Sequence, residues 1–326
     1  MHMADALLSP PVAVTAGVAA AALIGVAARE TKKNTRENMI PLMGVTGAFI
    51  FAAQMINFTI PGTGSSGHIV GGVLLAAMLG PWAGFLTIAS VIIIQCLIFA
   101  DGGLMALGCN LINMGAMTAL VAYPLVFRPM MRRGVTTGRI VAASILACIL
   151  GLEAGALLVV AETELSGITA LPWREFILFM LPIHLAIGLG EGLATAAVLL
   201  FVQKTRPDLL ADAADERPVE GRPRRLVAVF ALLALLLGGG LAFYASENPD
   251  GLEWSISRVT GETELPDSDV PLALSAGKVQ TTTSVMPDYD NTLSGVIGSV
   301  MVLALVWGVT SLIVSSRRTK ANPRHD

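Results

Sequence analysis

The residues best equipped for chemistry are the first two, Met1 and His2. Together they offer three nitrogens to one metal ion: a free α-amine, the His2 backbone amide and the His2 imidazole. Amine and amide close a five-membered chelate ring, amide and imidazole a six-membered one, and the set is nearly planar. One in-plane position is left for a second imidazole, for which His68 is the candidate. Tetragonal nitrogen sites of this kind favour Ni(II) or Cu(II).

The chelate has chemical conditions. Met1 must stay on the mature chain, and the bulk of His2 disfavours aminopeptidases that act where the second residue is small. The amine must remain unacetylated. Amine and imidazole must also lose their protons before a metal can bind, so affinity is expected to fall in acid. A Met-His start by itself is equally compatible with a frayed terminus. The elements that follow decide between the two.

The chain of 326 residues is 54% hydrophobic and only 14% charged, with a mean hydropathy of +0.71. That excludes an ordinary soluble domain and points to an all-α polytopic membrane protein. The net charge of -3 says little about partners. Cys96, Cys109 and Cys148 lie in apolar stretches without paired spacing and read as small buried hydrophobes. A cleaved secretory signal is not expected, because Arg29, Lys32, Lys33 and Arg36 follow the first apolar run instead of preceding it.

Apolar segments near residues 10–28, 40–57, 69–80, 82–99, 108–127, 138–160, 176–202, 225–245 and 293–315 make about nine candidate helices. Positive charge gathers at alternate ends: Arg29 to Arg36; Arg128, Arg132, Arg133 and Arg139; Lys204 through Arg225; and Arg317, Arg318 and Lys320. The opposite connections hold only Arg174, Arg258 and Lys278. This pattern predicts an N-terminus outside and a C-terminus in the cytoplasm. The external segment 246–292, rich in Ser, Thr, Asp and Pro, is expected to be loosely ordered.

The run Ile69–Gly80 is too short to cross. Twelve residues at 1.5 Å each reach about 18 Å, against a hydrocarbon core of about 30 Å. The charge pattern still requires a crossing there. The missing length must come from Phe58–Gly67, an irregular loop dipping to membrane depth, which is tolerated only inside protein or along a cavity. His68 then starts the short helix, below the outer surface and on the side of Met1.

Other intramembrane polar groups are candidates for function. His184 and Glu191 share a helix face about 10.5 Å apart along the axis, too far to pair. They read either as a proton relay or as structural contacts with neighbouring helices, and Glu153 likewise. Asn110 and Asn113, one turn apart, are suited to support a buried N-terminal strand. Gln95, near the outer end of its helix, is a further supporting candidate.

These residues resemble a known family. The N-terminal Met1-His2 with Asp5 and Leu8-Ser9-Pro10, the block Gly-Ser-Ser-Gly-His-Ile-Val-Gly-Gly at 64–72 including Ser66, Asp101-Gly102-Gly103 through Asn113-Met114, and His184 through Gly192 are similar to the NikM/CbiM family. These are substrate-binding (S) components of energy-coupling factor transporters for nickel and cobalt. Pro249-Asp250-Gly251-Leu252-Glu253 and Met286-Pro287-Asp288-Tyr289 resemble a NikN-type (PDGLE) segment. The chain thus looks like a fusion of the two. Met3-Ala4-Asp5-Ala6-Leu7 stands where family members often carry Ile-Pro-Asp-Gly-Phe.

The resemblance implies three regions: a metal-binding membrane domain over 1–203 with about seven helices, a cytoplasmic linker over 204–224, and a two-helix segment with an external loop over 225–326. It implies metal ligation by Met1, His2 and His68. Asp5, Ser66, Gln95, Asn110 and Asn113 are the supporting residues, and His184 with Glu191 a polar core. Ni²⁺ or Co²⁺ is then the transported substrate, with no cofactor and no enzymatic activity in this chain. No Gly-x-x-x-x-Gly-Lys-Ser/Thr motif occurs, so ATP hydrolysis is expected in partner ATPase (A) subunits, joined by a transmembrane coupling (T) subunit. The other partner is membrane lipid, in the inner membrane of a prokaryote, and no nucleic acid is expected. A self-sufficient proton-coupled metal transporter using His184 and Glu191, and a non-transporting membrane scaffold, are the alternatives.

Overall fold

The computed structural model describes residues 1–169, 171–215, 221, 223–266, 269–289 and 293–315. In chain order the elements are α1 (Pro10–Asn34), α2 (Ile40–Gln54), a hairpin of β1 (Phe58–Ile60) and β2 (Ser65–Gly67), α3 (Gly72–Leu79), α4 (Pro81–Phe99), α5 (Leu107–Arg132) and α6 (Thr137–Ser166). They continue with α7 (Trp173–Thr205), α8 (Pro207–Ala214), α9 (Arg224–Gly239), α10 (Gly251–Thr260), α11 (Pro271–Thr283) and α12 (Ser294–Ser315). Every apolar run of the sequence falls on one of these helices. Among the described residues, α1, α4, α5, α6, α7 and α12 are long and apolar enough to cross a membrane.

Prolines begin several of these helices, at Pro10, Pro41, Pro81, Pro207 and Pro271. The first turn tolerates them because its N–H groups have no intrahelical partner. α4 is the most enclosed crossing helix, whereas α1 turns Val14 and Val18 outward. With lipid as apolar as leucine, such helices are held by close packing more than by a hydrophobic drive. Gly192 illustrates this on α7: a Cβ there would lie 2.5 Å from the Cα of Ile145 on α6. α9 and α12 pack on α2, so the C-terminal helices share one bundle with the first seven.

Three expectations need correction. Phe58–Gly67 is not irregular: β1 and β2 pair antiparallel with Phe58 opposite Gly67 and Ile60 opposite Ser65, so part of its backbone is satisfied within the hairpin. His68 does not start a helix either. α3 begins at Gly72 after Gly71, whose φ of +83° suits a residue without Cβ, and is only eight residues long. Finally, the described residues of 246–292 are not loose, since they include α10 and α11, both packed on the bundle. The linker is likewise partly ordered by α8, where Tyr123 Oη donates to the Ala213 carbonyl at 3.2 Å and Arg128 Nε to that of Ala214 at 2.9 Å. Arg317, Arg318 and Lys320 lie outside the described residues.

Candidate metal centre

The first residues are threaded into the bundle end instead of fraying. Met1 and Met3 are buried. Met3 N–H donates to Asn110 Oδ1 at 2.7 Å, while the Met3 carbonyl accepts from Asn110 Nδ2 at 3.2 Å and Gly103 N–H at 2.9 Å. An asparagine side chain thus pairs with the terminal strand as a neighbouring strand would. Asp5 Oδ1 accepts Ala106 N–H at 2.9 Å, and a Cβ at Gly103 would collide with the Asp5 carboxylate. Asn113 reaches Met3 Sδ at 3.6 Å and donates to Glu162 at 2.7 Å. Asn110 and Asn113 thus contact Met3, and Asp5 anchors to the loop before α5.

This threading brings His2 beside His68. Their rings stack with centroids 5.6 Å apart and planes 17° from parallel. His68 follows β2 directly, and its Nδ1 must donate to the Ile69 carbonyl, 3.0 Å away, because a carbonyl only accepts. The lone pair is left on Nε2, as a neutral imidazole ligand requires. Burial, with the positive charges of the terminal amine and His2 nearby, pushes the His68 pKa down to about 4. His2 Nδ1 faces Asp101 Oδ1 at 3.0 Å, and its Nε2 is buried without a hydrogen-bond partner. The six-membered chelate closes through Nδ1, so His2 must exchange Asp101 for a metal to complete the planar set.

The backbone after His68 is fastened by Glu191. Its carboxylate accepts Val70 N–H and Gly71 N–H, both at 2.9 Å, at the start of α3. An anion there satisfies donors that the helix cannot. His184 donates from Nδ1 to the Met180 carbonyl at 2.7 Å, and its buried Nε2 has no hydrogen-bond partner. It borders a cavity of about 10 Å³ together with Met1, His68 and Asp250. Glu153 Oε1 is buried and also without such a partner. The Gln95 side chain donates to Gln54 at 2.7 Å, and its main-chain carbonyl accepts Asp101 N–H at 3.1 Å. Cys96, Cys109 and Cys148 are free and buried.

Sequence reasoning left Asp250, Asp101 and Tyr289 without roles. The α-amine of Met1 forms an ion pair with Asp250 Oδ2. Burial would push the Asp250 carboxyl up, but the amine's charge and hydrogen bond hold it well below the usual carboxylate range. Asp101 behaves likewise: against burial, His2 and the hydroxyl of Tyr289, 2.6 Å from Oδ2, keep it low. Burial and the Asp250 charge instead raise Glu253. One signal for Asp250 was present. An Asp followed three residues later by Glu is a capping-box pattern, and that box starts α10.

The C-terminal segment grips both sides of the site. Ser66 N–H donates to the Pro249 carbonyl at 2.8 Å, Ser66 Oγ to that of Asn248 at 2.7 Å, and Trp254 Nε1 to that of Thr63 at 3.0 Å, securing the hairpin that carries His68. Gln280 Nε2 donates to the Gly102 carbonyl at 2.7 Å and Met286 N–H to that of Ile98 at 3.1 Å, securing the loop that carries Asp101. Above lies a vestibule of about 1210 Å³, bordered by His2, His68, Asp101, Asp250 and Glu253. Among the described residues no group of three or more His, Cys, Asp or Glu side chains is arranged to hold a metal ion.

Fold and site together define a multi-pass α-helical membrane protein with a nitrogen-rich pocket built around its first residues. Residues 2–209 match the family described as the cobalt uptake substrate-specific transmembrane region (CbiM), and residues 224–315 match the PDGLE domain. The chain belongs to the CbiM family. A relative of the fused NikMN type from Archaeoglobus fulgidus is 30% identical across 95% of this chain and 98% of its own. The fused nickel transport protein NikMN of Rhodobacter capsulatus is 32% identical over 74% of each chain. A crystal structure of a transition metal transporter superposes with a TM-score of 0.56 at 29% identity, covering 65% of this chain and 97% of that one.

Proposed function

We propose that this chain captures Ni²⁺ or Co²⁺ at the outer face of a prokaryotic cytoplasmic membrane, holding the ion in a planar field of four nitrogens. These are the Met1 amine, the His2 amide, His2 Nδ1 and His68 Nε2. The observation that carries the reading is the convergence of the terminal amine, His2 and a correctly tautomerised His68 in one buried pocket. Support also comes from relatives whose names assign them nickel or cobalt transport. The anionic surroundings of Asp101, Asp250 and Glu253 favour a dication.

Residues 1–203 act as the capture domain, 204–224 as a cytoplasmic linker, and 225–326 as a segment that acts on the site from outside. The N-terminus lies outside and the C-terminus inside. Energy for transport comes from a transmembrane coupling subunit and ATPase subunits of an energy-coupling factor transporter. A self-contained proton-coupled carrier built on His184 and Glu191 has less support, because both Glu191 oxygens are engaged by backbone N–H groups.

The test is metal analysis with absorption spectroscopy on protein carrying its native N-terminus. A yellow, diamagnetic Ni(II) complex is expected, and one extra residue before Met1 should abolish it. Equal Ni²⁺ binding by wild type and a His2→Ala, His68→Ala double variant would sink the reading.

A further inference from the structure

The carboxylate of Asp250 divides its two oxygens between two tasks. Oδ1 caps α10, accepting Leu252 N–H at 2.7 Å and Glu253 N–H at 2.9 Å, while Glu253 Oε2 returns a hydrogen bond to Asp250 N–H at 2.9 Å. Oδ2 takes the Met1 α-amine. Capping alone does not require aspartate, because Asn and Ser cap as well as Asp does. Those residues offer a single side-chain oxygen, which the cap occupies. Only a carboxylate, with one oxygen on the helix and one on the amine, does both.

The amine contact also survives ligation chemically. A coordinated primary amine keeps two N–H groups and still donates to a carboxylate. The local charge is also the same on both sides of the reaction. Before binding it is the +1 of the ammonium. After binding it is a dication combined with one ionised amide and three neutral nitrogens, again +1. An anion at Asp250 therefore suits both states and does not have to leave.

Resting on the four-nitrogen reading above, we propose that Asp250 is a positioning residue of the metal site, supplied by the PDGLE domain to seat the Met1 amine where it ligates. The two residues just before Asp250 are tied to the His68 hairpin, Ser66 donating to the Pro249 and Asn248 carbonyls, so the seat is fastened beside the segment that carries the fourth ligand. Tyr289 and Asp101 hold the His2 side in the same manner. The PDGLE domain thus positions the hook instead of merely standing near it.

Asp250→Asn in the full chain tests this, with Asp250→Ser as the second variant and Glu262→Gln as an exposed control. Ni²⁺ affinity is measured by competition with a chromophoric chelator, beside the visible absorption of the Ni(II) complex and Trp254 fluorescence, which reports whether α10 stays on the hairpin. Loss of an outer-shell partner typically weakens metal binding 10–100-fold. That loss is expected for both Asp250 variants with α10 in place and the Ni(II) band altered, while Glu262→Gln matches wild type. Variants that bind within twofold of wild type, or more tightly, overturn the proposal; if His68→Ala still abolishes binding, the four-nitrogen reading stands without it. Should His68→Ala bind Ni²⁺ as wild type does, both fall together.

Discussion

The imidazoles of His2 and His68 lie stacked, 5.6 Å between centroids, although 66 positions separate them in the chain. Asp101 holds one ring through Nδ1 and the Ile69 carbonyl holds the other. Under the four-nitrogen proposal, ligation would exchange one hydrogen-bond partner, Asp101 at His2, and would leave His68 in its present tautomer. His2→Ala and His68→Ala should each lower Ni²⁺ affinity at least ~100-fold, equivalent to ~2.7 kcal/mol. Isothermal titration of the purified protein would show this, and a surviving wild-type affinity in either variant would count against the pair as ligands.

The Tyr289 hydroxyl fixes Asp101 at 2.6 Å and the Tyr289 ring stacks on Phe99 at 4.7 Å. Tyr289→Phe keeps the stack and deletes the hydroxyl. Hydrogen bonds to charged groups contribute about 1.5–3 kcal/mol, so the His2 side should loosen. The expected result is a severalfold faster release of Ni²⁺ with an unchanged melting midpoint, measured by stopped-flow chelator chase and by thermal unfolding.

Glu191 serves the architecture of the loop after His68. Removing its carboxylate leaves Val70 and Gly71 N–H groups buried without acceptors, at about 1–3 kcal/mol each. Glu191→Ala should lower the thermal midpoint in detergent and weaken metal binding together. Glu191→Gln, retaining one acceptor oxygen, should lose about half as much. A proton-relay role would instead leave stability intact and abolish only proton-dependent uptake.

Stability should also depend on pH through His68. Burial holds its pKa at about 4 in the folded protein, below the ordinary histidine value of 6.5. Between those values the unfolded chain takes up a proton that the folded one refuses, so stability rises with pH across that window and falls as the medium is acidified through it. The stake is of order 3 kcal/mol. Chemical unfolding at pH 7 and pH 5 should show the loss in wild type and a reduced loss in His68→Phe. Equal slopes for the two proteins would exclude His68 as the source.

The crossing helices were legible in the sequence, and the proposed ligand set could be put forward from it, because each rests on local chemistry. A Met-His start defines a chelate within two residues, apolar runs define crossing helices, and a run too short to cross pointed to an unusual backbone beside His68. Asn110 and Asn113 were also readable, since amides one turn apart on an apolar helix need polar partners. The capping box of Asp250 and Glu253 was present as a pattern, yet the Ser-, Thr- and Asp-rich composition around it suggested looseness.

What only the tertiary structure decided is how distant segments complete one another. Nothing local says that the second oxygen of an N-cap aspartate meets an amine 249 residues away, or that Tyr289 steadies Asp101, 188 residues back. Nor could spacing tell that Glu191 fastens the backbone after His68, 121 residues before it. Helix formation and chelation are set by neighbours in sequence. Charge neutralisation and backbone satisfaction inside a packed bundle depend on which surfaces meet, and that is settled by the packing of α10 on α7 and the hairpin and of α11 on α4.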